Sequence, residues 1–282
     1  IKDYKQDTLI YVNYLNTGLE GAIRSAFNRQ LVLTNVEIDQ GLFNLVTYNA
    51  DAYKNLTMTF NPNVDQAINK EKAQLLIDLG RVNLKDFEFR NHDYNRGSEE
   101  FYNINRGEID VDLLDIAKDS VVLGQVNFDS TDIRIHIFTP EGMDTTLTAA
   151  EINEAIDSTR KRNPFFLSAR KINFNNGNFQ LDNNFRSPNW NQNYQRINYD
   201  HLLLNEVNIS VDNFELHDLA FAGQNLFLAF ENPAGFVLEH LRVDNAIVDS
   251  TQVALQGVDL LTPTSTLGDT VTFKFNCYES WR

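Results

Sequence analysis

Reactive side chains are sparse in this 282-residue chain, and their spacing builds none of the common catalytic constellations. It has no His-Glu-x-x-His zinc motif, no Gly-x-Ser-x-Gly nucleophile elbow, no phosphate-cradling glycine loop and no dinucleotide fingerprint. The five histidines, His92, His136, His201, His217 and His240, lack the short intervals at which imidazoles converge on a metal. His136 alternates with Ile135 and Ile137, which reads as the solvent side of a strand. An acidic run of Glu108, Asp110, Asp112, Asp115 and Asp119 offers the oxygen ligands that a hard cation takes. Its first three members alternate with Ile109, Val111 and Leu113, so the same carboxylates serve as the wet side of a half-buried strand. Trp190 and Tyr194, among many amides, offer either a stacking surface for a sugar or a cover for a sheet end. Cys277, the single cysteine, lies between Phe275 and Tyr278 and reads as a small strand residue without a partnered histidine to activate it. We therefore expect no catalytic residue, no metal site, no cofactor and no enzyme activity.

Bulk properties narrow the remaining functions. Lys and Arg number 24 against 39 Asp and Glu, a net charge of −15. Phosphate neutralisation, which supplies most non-specific nucleic-acid affinity, has no evident source, and nucleic acid is not an expected partner. The longest apolar runs, such as residues 226–230, are a quarter of the roughly 20 residues a bilayer-crossing helix needs. One cysteine excludes an internal disulfide framework and a cysteine-based zinc site.

The elements that position these residues are read from hydrophobic period. Two apolar residues at i and i+2, a polar interruption, and two more at i+7 and i+9 recur along the chain. The clearest copies are Val36-x-Ile38-Asp-Gln-Gly-x-Phe43-x-Leu45 and Ile172-x-Phe174-Asn-Asn-Gly-x-Phe179-x-Leu181. Val126, Phe128, Ile133 and Ile135 keep the spacing, as do Val207, Ile209, Phe214 and Leu216. Val82-x-Leu84-Lys-Asp-Phe87-x-Phe89 reads as a copy one or two residues shorter, and Leu241, Val243 and Val248 as a weaker one. Period 2 on either side of a polar interruption predicts a hairpin with all four apolar side chains on one face, with Gly41 and Gly177 supplying positive φ in the turn. The intervals between copies are uneven, which disfavours a strict solenoid and favours a long meander. Short helices are expected at 17–29, 61–71 and 148–163, and a long exposed loop at 183–199. The whole chain, 1–282, reads as one continuous repeat-like segment of a longer protein, interrupted near 61–71 and 148–163.

An apolar stripe on every copy requires something against it: a second sheet closing a dry core, or a ligand in an open trough. Residue patterning leaves both open. Residues 7–15 (Asp-Thr-Leu-Ile-Tyr-Val-Asn-Tyr-Leu), 33–48, 164–181 and 236–245 resemble repeats of TamB-like proteins in the AsmA-like superfamily, of the Bacteroidota type and in their N-terminal periplasmic part. The resemblance spans almost the whole chain. It implies an all-β fold, an elongated, curved antiparallel β-meander (the β-taco or groove) with a hydrophobic inner face and a few short helices. It implies a lipid-shielding groove lined by Val36, Ile38, Phe43, Leu45, Val126, Phe128, Ile172, Phe174, Phe179, Leu181, Val207, Ile209, Phe214 and Leu216. Family likeness further implies phospholipid acyl chains as ligand, an outer-membrane barrel of the Omp85 class (TamA-like) as partner, and a periplasmic location with an inner-membrane anchor outside this chain. Roles in phospholipid movement between membranes or in outer-membrane protein assembly follow. A β-helix that binds or degrades polysaccharide is the competing expectation, because it also favours short strands and asparagine. A scaffold offering sheet edges to folding barrel strands is another.

Overall fold

The computed structural model describes residues 1–19, 30–48, 54–60, 76–115, 120–140, 166–186, 194, 198–217, 220–249, 251–263 and 265–274. One sheet of eleven strands runs in strict sequence order: β1 (Ile10–Leu19), β2 (Gln30–Thr47), β3 (Leu76–Asp93), β4 (Ser98–Asp115), β5 (Ser120–Ile137), β6 (Phe166–Asn183), β7 (His201–His217), β8 (Ala220–Glu231), β9 (Val237–Val248), β10 (Gln252–Thr262) and β11 (Ser265–Lys274). A single short helix, α1 (Asn55–Phe60), is the only one among the described residues. The fold is all-β, an elongated and curved β-meander.

Eight of the ten pairings are antiparallel, but β2 pairs parallel with β3 and β5 parallel with β6. A parallel pair needs a crossover of a dozen residues or more. Residues 48–75 and 138–165, 28 each, make those two connections, and they contain the interruptions expected at 61–71 and 148–163. Both of these expected helices lie outside the described residues. Of the helix expected over 17–29, residues 17–19 instead extend β1, where Thr17 pairs with Val36, and 20–29 lie outside the described residues. Inside the first crossover, α1 is fastened by Asn55, whose Oδ1 accepts from the Val46 amide at 2.9 Å and whose Nδ2 donates to Asp3 Oδ2 at 3.0 Å.

The hairpin reading is corrected by the strands themselves. Each clear copy lies within one strand of 17 or 18 residues, about three times the usual length. The polar interruption is a one-residue left-handed kink inside the strand, not a turn. Positive φ falls on Gln40 (56°), Asp86 (48°), Ser130 (53°) and Asn176 (50°), each one residue before an inward position. Gly41 and Gly177 are not the positive-φ residues; they are glycine for space. A Cβ on Gly41 would stand 2.6 Å from Phe87 Cδ2, and one on Gly177 would stand 2.0 Å from Phe174 Cε1. The Val82 copy is not shortened either. Its residues pair in full register with β2, Val36 with Val82, Ile38 with Leu84, Gly41 with Phe87 and Phe43 with Phe89.

These kinks lie side by side in pairs. Asp39 pairs with Lys85 and Gly41 with Phe87, which sets Gln40 beside Asp86, and the pairs flanking Ser130 and Asn176 set those two together. Each kink turns its strand at the same level as its neighbour's, so the pairs crease the sheet. Accessible surface records the outcome: 18335 Å², against about 12,000 Å² for a compact monomer of this mass.

Two outcomes test this geometry. Asn176→Val places a β-branched residue at φ 50° and is expected to lower stability by about 1–2 kcal/mol in urea titration, whereas Asn176→Gly is expected to hold it. Small-angle scattering is expected to give a radius of gyration well above the roughly 19 Å of a compact globule of this length.

Candidate functional site

Register carries the apolar stripes across the sheet as continuous rows. One row runs Val36, Val82, Ile109, Val126, Ile172 and Val211 across β2 to β7. The next runs Ile38, Leu84, Gly107, Phe128, Phe174 and Ile209, and continues through Leu228 and Leu241 to Leu260. Beyond the crease come Phe43, Phe89, Tyr102, Ile133, Phe179 and Leu204, then Leu45, Asn91, Glu100, Ile135, Leu181 and Leu202. Val207 lies opposite Gly177, while Phe214 and Leu216 lie opposite Ala169 and Leu167. All fourteen residues read as lining therefore share one face. Sequence reasoning missed the contribution of β4, although Tyr102-x-Ile104-x-x-Gly107-x-Ile109 has the same inward steps of two, three and two as Val36-x-Ile38-x-x-Gly41-x-Phe43.

Burial on this face is partial. Val36, Val126, Phe174 and Val207 are buried; Ile38, Phe43, Leu45, Phe128, Ile172, Phe179, Leu181, Ile209, Phe214 and Leu216 are half-buried. Among the described residues each strand packs on its ladder neighbours and α1 on β2, with no second layer across the rows. The side chains shelter one another sideways. Phe43 and Phe89 lie 5.8 Å apart between ring centres, and Phe89 and Tyr102 5.5 Å. Tighter packing occurs near the far end, where Val243, Ala246 and Val258 are buried among Phe221, Leu226, Leu241 and Leu255. Such a face forms an apolar trough along the sheet.

The opposite face is polar and laced with cross-strand pairs. Arg81 meets Asp110 at 2.7 Å, Lys85 meets Asp39 at 2.9 Å and Arg170 meets Asp112 at 3.3 Å. Two members of the acidic run thus have cationic partners, and residues 116–119 of that run lie outside the described residues. Trp190 and Cys277 also lie outside them.

Three histidines fall into one transverse row that spacing alone did not reveal. His92, Glu99, His136, Asp182 and His201 are successive cross-strand partners from β3 to β7. Glu99 takes His136 Nδ1 at 3.2 Å and has His92 Nδ1 at 3.4 Å; Asp182 takes His201 Nδ1 at 3.1 Å. His136 is thus half-buried in a network rather than simply solvent-facing, with Asn184 2.9 Å from its Nε2. Tyr194, expected in an exposed loop, donates its hydroxyl to Asp182 at 2.7 Å. A shallow hollow of about 310 Å³ opens beside this row, lined in part by Glu88, Phe101, Arg134 and Gln180.

A scan against protein-family models returns no match, and a search of curated proteins returns none either.

Asp182 gives the polar row its pH dependence. Burial pushes its carboxyl upward, but hydrogen bonds from Tyr194, Gln180 and His201 outweigh that and hold it below the ordinary carboxylate value. A depressed folded-state value means the stabilisation is complete above the unfolded value, about 3.9, and fades as pH falls through the folded one. Asp182→Asn is expected to cost about 1–3 kcal/mol near neutral pH. In paired urea titrations the gap between wild type and variant is expected to close as pH drops below about 4.

Proposed function

We propose that this chain is a non-enzymatic, TamB-like segment of a bridge between inner and outer membranes, and that it shields phospholipid acyl chains in its apolar trough. One observation carries the reading: the strands from β2 to β10 carry apolar rows on one face, and among the described residues no second layer covers it. A half-buried aliphatic or aromatic lining gains about 25 cal/mol for each Å² that a ligand removes from water. An acyl chain laid across the rows collects that gain along its length at about 0.8 kcal/mol per methylene. The periplasmic setting, the inner-membrane anchor and the Omp85-class partner belong to the same proposal, and rest on the family resemblance of residues 7–15, 33–48, 164–181 and 236–245. Assistance in outer-membrane protein assembly is the second role that resemblance supports. A polysaccharide-acting β-helix is disfavoured by topology, since its coils pair in parallel and only two of the ten pairings here do so.

The test exploits alternation. Phe179 lies on the apolar face, whereas the neighbouring Gln180 turns to the polar side, where it bonds Asp182 and Tyr194. A photo-crosslinking residue at Phe43 or Phe179 is expected to capture phospholipid in cells, and one at Gln180 is not. Phe179→Asp is expected to abolish capture at Phe43 while lowering stability by no more than about 2 kcal/mol, because a half-buried site lets the carboxylate reach water. Equal capture from both faces rejects the trough.

A further inference from the structure

The row that begins at Leu45 and ends at Leu202 is apolar except at two neighbouring places, Asn91 on β3 and Glu100 on β4, which are direct cross-strand partners. Polar side chains within an apolar row cost free energy unless they are partnered. Both are. Lys54, arriving from the first crossover just before α1, places Nζ 2.5 Å from Asn91 Oδ1. The Tyr102 hydroxyl donates to Glu100 Oε2 at 3.2 Å, with the ring of Tyr102 against Phe89 at 5.5 Å. The cluster stands where β2 and β3 end and β4 begins, at the rim of the trough. Lys54 and Glu100 are both half-buried there.

We propose that Lys54 and Glu100 form a headgroup site for a zwitterionic phospholipid, the Lys54 ammonium receiving the phosphate and the Glu100 carboxylate the headgroup amine. This rests on the acyl-chain reading of the trough. An ammonium and a carboxylate at the end of an apolar surface match, in order, the phosphate, amine and hydrocarbon of such a lipid. Burial lowers the proton affinity of Lys54 beyond what Asp93 and Glu100 restore. A phosphate against its ammonium adds to that restoring charge. Glu100, beside a tyrosine whose own proton is held more tightly by burial and by this carboxylate, up to a value of about 12, supplies an acceptor for the amine.

Native mass spectrometry of the whole chain with three lipids of identical acyl chains separates the possibilities: a phosphatidylethanolamine, a phosphatidic acid and a diacylglycerol. Wild type is expected to retain both phosphate-bearing lipids about tenfold better than the diacylglycerol, the worth of one charge-assisted hydrogen bond. Lys54→Gln is expected to erase that preference and leave diacylglycerol retention unchanged, and Lys54→Arg to restore it. Glu100→Gln is expected to weaken phosphatidylethanolamine several-fold without affecting phosphatidic acid. Diacylglycerol retained without headgroup preference, or a preference that survives Lys54→Gln, overturns the headgroup site alone. Retention of none of the three overturns the trough reading and the site with it.

Discussion

Side chains on a strand change face at every residue, and that one constraint shapes this molecule. Ile38 and Phe43 are five residues apart, an odd step, as are Phe174 and Phe179 and likewise Phe128 and Ile133. A regular strand would send the two members of each pair to opposite faces. One residue of positive φ in each of these strands restores the phase, at Gln40, Ser130 and Asn176. Without these kinks half of every stripe would face the charged side, among the pairs of Arg90, Glu88 and their neighbours.

Curvature follows from the same device. A single kink would bend one strand; kinks level with one another on paired strands crease the sheet there, and a creased layer can shelter an apolar face from one side. The residues tolerated at these places have physical reasons of their own. Asp86 and Asn176 carry short polar side chains suited to the left-handed region, and Asn213 and Asn225 do the same in later strands. Asparagine abundance in this chain is thus partly a record of left-handed kinks inside strands, not only of turns between them.

The fold class and the one-sided stripes were legible because period 2 is a local signal. The connection at the polar interruption was not. A turn that reverses the chain and a left-handed kink that only shifts its phase put the same four side chains on the same face, so Val36 to Leu45 reads identically as either. What separates them is pairing, which is non-local: Val36 finds Val82 on β3 in parallel, not Leu45 across a hairpin. Register also explains the hidden histidines. His92, His136 and His201 are more than forty residues apart in sequence, and only a ladder spanning β3 to β7 brings them into line with Glu99 and Asp182. Lys54 escaped notice for the same reason, since its partner Asn91 is fixed by the parallel crossover.

Volume on the apolar face is conserved across strands rather than along them. Gly41 is small because Phe87 of the next strand fills its place, and Gly107 is small because a Cβ there would stand 3.0 Å from Phe128. At these two places a ring on one strand leans over a gap on the next. Val36 and Phe174 are buried at 8% exposure, while Phe43 and Phe179 stay half-buried along the trough. Among the described residues the sheet is held together by lateral contacts between ladder neighbours, and no other layer closes on the apolar surface beyond the crease. Under the proposed reading, stability and ligand capacity reside in adjacent rows of one face, so a charge placed at half-buried Phe179 acts on the ligand more than on the fold.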